Sequence, residues 1–175
     1  MPELTLRFQI AGGNEIARQL PRVALELDDF TEPLRVSGRA IYNDIKTEFR
    51  NQGQRKQPRW PALNKTYAAW KARHYPGKTL LRLTDALHRS LTDKLDPNAV
   101  YELGRHQLTI GTSLETPTGG WNLGLIHQLG APNARWGPIP PRPMIRPSEA
   151  TKNRIEAIFK AWLQRKAAEA DIAIT

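Results

Sequence analysis

Between residues 131 and 147 the sequence places six prolines in seventeen positions. Each proline holds φ at about −65° and removes a backbone donor, so the stretch can be neither helix nor interior strand. The residues before it must build most of the fold, and those after it have room for one element. That element is legible. Ser148 can cap a helix, and Ile155, Ile158, Phe159, Trp162 and Leu163 give the i, i+3, i+4, i+7, i+8 stripe of an amphipathic one. Lys152, Arg154, Lys160, Arg165 and Lys166 fall on its outer face. Residues 168–175 are expected to fray.

Upstream, residues 3–10 alternate. Leu4, Leu6, Phe8 and Ile10 fall on one side and Glu3, Thr5, Arg7 and Gln9 on the other, the period of a half-buried strand. Asn14 can cap a helix with apolar positions Ile16, Leu20, Val23 and Leu27, kinked at Pro21. A longer helix comes next, with Thr31 expected as its N-cap and Pro33 in the first turn. Leu34, Gly38, Ile41, Ile45 and Phe49 line one face of it, and Gly38 there implies close approach of a neighbouring element. Residues 51–59 are polar and basic and read as a mobile loop, pinned beyond its end by Trp60 and Leu63. A short helix is expected over 64–74, then a turn at Tyr75, Pro76, Gly77 and Lys78. Leu80, Leu83, Leu87 and Leu91 share a helical face, with Thr84 able to cap its second part. Residues 99–103 and 107–112 read as a hairpin. A short apolar segment, 123–129, ends at Gly130. This order predicts one α+β domain over residues 1–175: a small, mainly antiparallel sheet packed by helices, with long Pro-rich loops.

The chain contains no cysteine, which excludes disulfides and thiolate metal sites and fits synthesis in a reducing cytoplasm. Met1 to Thr5 show no basic start leading into an apolar run, so no secretory signal is expected. No apolar run approaches the roughly 20 residues that span a bilayer, so no membrane partner is expected. The net charge is +9 and the pI about 10.2. Residues 30–79 hold eleven basic and three acidic side chains. Such an excess can meet phosphate, meet an acidic protein ring, or keep a loop solvated.

Catalytic patterns are missing. His74, His88, His106 and His127 lack the close spacing of a zinc site, so no metal is expected. Gly119, Gly120 and Gly124 match neither a phosphate loop nor a dinucleotide fingerprint, and no cofactor is expected. His127, inside an apolar segment, has no identifiable acid or nucleophile as partner. It reads as a partly buried imidazole bonded to a nearby carbonyl, fixing the turn into Gly130.

Three segments carry a resemblance. Trp60-Pro61-Ala62-Leu63 is followed by Thr66. Leu81 to Leu91 runs LRLTDALHRSL, with Thr84, Leu87 and Ser90 at its marked positions. Ile126-His127-Gln128-Leu129-Gly130 is followed by Ile139-Pro140-Pro141-Arg142-Pro143-Met144-Ile145. In this order they resemble the phage virion morphogenesis family, the tail-completion proteins of Mu-like and related contractile-tailed phages. Asp85 stands where that family usually has Gly, and Leu129 replaces an aromatic residue.

The resemblance implies a structural protein of the virion tail, made in the host cytoplasm, and not an enzyme. It would complete or cap the head-proximal end of the tail as an oligomeric ring, in prophage or phage, ready for head–tail joining. Its partners would be copies of itself, tail tube or sheath subunits and head–neck proteins. Candidate interaction residues are Trp60, Leu63, Thr84, Leu87, Ser90, His127, Gln128, Gly130, Pro140, Arg142 and Pro143. Arg142, stiffly mounted between prolines, can present its fork to a carboxylate or a carbonyl, in its own subunit or the next. The alternative is a DNA-binding protein using the basic 50–78 stretch, with non-specific contact to phosphate.

Overall fold

A computed structural model describes residues 4–9, 28–134 and 137–169. Within them the order is β1 (Leu4–Gln9), α1 (Thr31–Arg50), α2 (Lys65–His74), α3 (Ala86–Thr92), β2 (Ala99–Leu103), β3 (Gln107–Thr112), α4 (Leu123–Leu129) and α5 (Glu149–Glu169). The α+β reading is borne out. The proposed helix of Ile16, Leu20, Val23 and Leu27 lies outside the described residues.

The sheet is antiparallel with β3 in the middle, in the order β1-β3-β2. The expected hairpin forms, closed by Gly104 N–H donating to the Gln107 carbonyl at 2.8 Å. Across β3, Leu4 pairs with Thr112 and Gln9 with Gln107. Leu108, Ile110 and Thr112 are wholly buried, as befits a central strand under a helix. That helix is α1. A Cβ on Gly38 would stand 3.1 Å from Leu108 Cδ2 and 3.2 Å from the Tyr101 hydroxyl, so the close approach expected at this glycine is present. Leu34, Ile41, Ile45 and Phe49 fill the space between helix and sheet.

Two helix starts differ from expectation. Phe30, not Thr31, occupies the cap position of α1. Phe30 is drawn into the core, with its N–H donating to the Arg105 carbonyl at 2.8 Å, and the Asp29 carboxylate takes the Thr31 N–H instead. The leucine run does not form a helix from residue 80. Leu81 and Asp85 have φ of 58° and 64°, which breaks the run, and α3 starts only at Ala86. Asp85 holds the N-cap position, and Thr84 only accepts a 3.4 Å bond from Ala86 N–H. The cause is local: Lys78 Nζ and Arg82 Nε reach the Asp85 carboxylate at 2.6 and 2.7 Å and wrap the segment into a turn.

Ser148 caps α5 as expected, accepting from Thr151 N–H at 3.3 Å. The helix lies along α1. Trp162 is buried, its ring 5.0 Å from that of Phe30.

Candidate functional site

Most of the singled-out residues meet at one place, where the Trp60 loop, the end of α4 and the proline segment close on each other. The geometry begins at the end of α1. Gln52 and Gly53 turn left-handed, and their N–H groups donate back to Phe49 and Glu48 carbonyls at 3.1 and 3.0 Å, a Schellman closure. Gly53 is needed there twice over. Its φ is +70°, and a Cβ would stand 2.0 Å from the Trp60 ring. Trp60 thus lies flat on the turn, edge-on to Phe49 at 5.5 Å, and its indole N–H donates to the Pro143 carbonyl at 2.9 Å.

Arg142 binds the same loop from the other side. Its Nε donates to the Pro61 carbonyl at 2.8 Å and its Nη2 to the Ala62 carbonyl at 2.9 Å. Its own N–H donates to the His127 carbonyl at 2.6 Å. The residue is 3% exposed, so its fork is spent on carbonyls of its own subunit. Among the described residues it meets no carboxylate. Gln128 completes the fastening. Its Oε1 accepts from Met144 and Ile145 N–H at 2.8 and 3.2 Å, while its Nε2 donates to the Ile145 carbonyl at 3.2 Å. A side-chain amide here does what a neighbouring strand would do, for a segment whose prolines supply few donors. Gly130 permits the turn: φ is +85°, and a Cβ would lie 2.8 Å from the Ile139 carbonyl oxygen. Beyond it Ala131 and Ile139 form an isolated antiparallel bridge.

Leu63, Tyr67, His127, Pro140 and Arg142 surround a cavity of about 200 Å³. Burial, with the Arg142 and Lys71 cations nearby, lowers the His127 pKa to about 4, so the ring is neutral at physiological pH. Its Nδ1 is buried with no hydrogen-bond partner among the described residues. Among the described residues Nδ1 therefore does not make the expected bond to a carbonyl. Arg142 N–H has taken up the main-chain carbonyl of His127, and the ring faces the cavity. Among the described residues no carboxylate, serine or cysteine lines that cavity.

Thr84, Leu87 and Ser90 lie elsewhere, at α3. Ser90 Oγ donates to the Leu87 carbonyl at 3.0 Å and accepts from Thr112 Oγ1 at 2.8 Å, which fastens α3 to β3. Phe49 links this group to the clasp formed by the Trp60 loop, the end of α4 and the proline segment: its ring lies 5.1 Å from His88 on one side and 5.5 Å from Trp60, edge-on, on the other.

Sequence reasoning missed a buried ion cluster beside the clasp. Lys56, 8% exposed, donates to Asp44 Oδ2 at 2.8 Å and to the Arg146 carbonyl at 2.5 Å, and lies 3.6 Å from Glu48. Arg55 pairs with the same Asp44, which also accepts from Ser148 N–H and Oγ at 3.0 and 2.9 Å. Burial opposes ionisation of Asp44, but the bonds from Lys56 and Ser148 outweigh it and hold its pKa below the usual range. A signal existed: Asp44 and Glu48 sit one turn apart beside the apolar stripe of α1, just before a run of cations. Lys71 is also buried, donating to the Thr79 carbonyl at 2.5 Å. Arg55, Lys56, Lys71 and Lys78 of the basic 50–78 stretch are thus engaged inside the subunit.

Among the described residues no group of His, Asp and Glu gathers as a metal site, and no helix is long and apolar enough to cross a membrane. A site built from internal fastenings defines a structural domain. The model of the phage virion morphogenesis family matches residues 12–164, and the chain belongs to that family. The resemblance read from the three motifs is borne out. No curated protein and no solved structure matches the chain significantly.

Proposed function

We propose that the protein completes or caps the head-proximal end of a phage tail as an oligomeric ring, and that it acts by assembly without catalysis. The reading rests on family membership and on one surface feature. Next to the clasp lies an open groove of about 620 Å³, lined by Trp121, Leu125, Leu129, Pro132 and Ile139 among others. Trp121 and Leu129 are each 70% exposed. A large aromatic and a leucine held out to solvent beside a groove are typical of surfaces that another protein covers.

The occupant is a neighbouring copy of the chain. Two chains of charge +9 repel wherever their charges meet. Among the described residues none that lines the groove is ionisable, which favours a second copy seating there without opposing like charges. Repetition of such a head-to-tail contact closes a ring when the rotation between copies allows it. Tail tube or sheath subunits and head–neck proteins would then meet the two faces of the ring.

The test is electron microscopy of purified protein mixed with tail tubes, with sedimentation of the protein alone. End-bound rings are expected. Trp121→Glu with Leu129→Glu should keep its melting temperature and lose both the rings and the self-association. Rings that persist in this variant would remove the groove from the interface. Tubes left uncapped by the native protein would overturn the function.

A further inference from the structure

The solvent face of α1 is a row of cations. Arg35, Arg39, Asn43, Lys46 and Arg50 recur at intervals of four, four, three and four, and all five are exposed. At 3.6 residues per turn these spacings keep them within one narrow face, and the rise from Arg35 to Arg50 is about 22 Å. Arg35, Arg39 and Lys46 pair with no carboxylate among the described residues, and Arg50 only donates to Thr47 Oγ1. The one acid on this face, Glu32, is held by Arg165 at 2.5 Å. Like charges four residues apart weaken a helix, and the row contains two such pairs, Arg35 with Arg39 and Lys46 with Arg50. Arg55, Lys56, Lys78 and Arg82 each meet a carboxylate; the cations of this row are left open.

We infer that this row is a binding site for the phosphodiester backbone of a nucleic-acid duplex, contacted without regard to base sequence. Three of the four cations are arginines, whose planar forks suit phosphate oxygens, and Asn43 can donate between them. The face lacks what a protein partner would need. Its one apolar member is Val36, at 36% exposure, and a protein interface of any strength has a buried apolar centre. Phosphate contacts need none, because their driving force is the release of counterions condensed on the duplex. The site shares only Arg50 with the basic 50–78 stretch, much of which is spent internally. It shares no residue with the apolar groove, so it stands independently of ring formation.

The experiment is fluorescence anisotropy of a labelled duplex of about 20 base pairs and arbitrary sequence, titrated with the full chain at several salt concentrations and competed with polyglutamate. One variant carries Arg35→Gln, Arg39→Gln, Lys46→Gln and Arg50→Gln. A control of equal charge carries Lys65→Gln, Arg73→Gln, Arg154→Gln and Lys160→Gln. Glutamine is a good helix former, and circular dichroism checks that both variants fold. The native chain should bind, with log K falling linearly in log salt. The row variant should bind at least about tenfold more weakly, with a slope shallower by about 3 to 4, since each phosphate contact contributes about 0.9. The control should keep most of the affinity. Equal losses in both variants would reduce the effect to net charge and overturn the site. So would native protein that ignores the duplex, or that prefers polyglutamate, which would point to an acidic protein instead.

Discussion

The indole N–H of Trp60 donates to the carbonyl of Pro143, and Arg142, one residue earlier, donates back across the same gap to the carbonyls of Pro61 and Ala62. The two segments are tied in both directions. Arg142→Ala leaves two carbonyl acceptors without their donors at bonds that are only partly buried, and the subunit should lose about 1–3 kcal/mol. Arg142→Lys should recover only part, because a point charge cannot hold two carbonyls in a fork. Urea denaturation measures both. A loss under about 0.5 kcal/mol for the alanine variant would mean that water replaces the guanidinium.

Asp85 sits at φ 64°, a backbone conformation that glycine adopts freely and that a short polar side chain tolerates. The bonds from Arg82 and then Lys78 lower its pKa to about 2. A depressed carboxylate adds stability above its unfolded pKa of about 3.9 and loses it as pH falls toward the folded value. Asp85→Gly gives up partly exposed ion pairs and gains backbone ease, so near pH 7 the change should stay within about 1 kcal/mol. Between about pH 4 and pH 2 the native protein should lose stability faster than the variant. Parallel acid titrations of the two would contradict this.

His127 acts at higher pH. Its folded pKa of about 4 lies below the ordinary histidine value, so between about pH 6.5 and 4 the unfolded chain takes up a proton that the folded chain refuses. Its contribution to stability is therefore complete above that window and falls as pH drops through it. His127→Gln should flatten the stability curve there, measured by denaturant titration at half-unit steps. An unchanged slope would show that the ring reaches solvent.

Trp162 packs on Phe30 and is 5% exposed. Trp162→Ala should cost about 3–5 kcal/mol, as large-to-small core changes do. A cost below about 1 kcal/mol in thermal or urea melts would mean that α5 is held by something other than this stripe.

The main-chain donors of loop 51–59 at Arg55, Lys56, Gln57 and Arg59 make no backbone hydrogen bond among the described residues. We propose that these amides exchange fast in the free subunit, while Gly53, bonded to the Glu48 carbonyl, exchanges slowly. Asp44→Asn, which loosens Lys56, should spread fast exchange to Gln54 and Gly53. Slow exchange at 55–59 in the native subunit would contradict the mobility.

Much of the fold can be read because its elements are periodic. The β2–β3 hairpin, the stripe of α5 and its Ser148 cap all come from local spacing. The start of α3 does not, because the leucine spacing continues across Asp85 while the backbone turns left-handed there. Nor does the cap of α1, where burial of Phe30 decides the boundary. The motif segments 60–63, 126–130 and 139–145 are visible one by one, but the first meets the last through contacts more than 80 positions apart in sequence. The Lys56–Asp44 pair is hidden for a related reason. A basic loop reads as solvated unless something shows that an acid waits beneath it.

Each side-chain donor of the clasp ends on a main-chain oxygen: those of Pro61, Ala62, Pro143 and Ile145. Any residue carries such an oxygen in the same place, so the acceptor positions are free to drift in evolution provided the backbone path is kept. The donors have no such freedom, since only an indole, a forked cation and a primary amide reach those oxygens from where they stand. Divergence within a lineage should therefore run unevenly across the two sides of one fastening, fast at Ala62 and slow at Arg142, although the two residues touch.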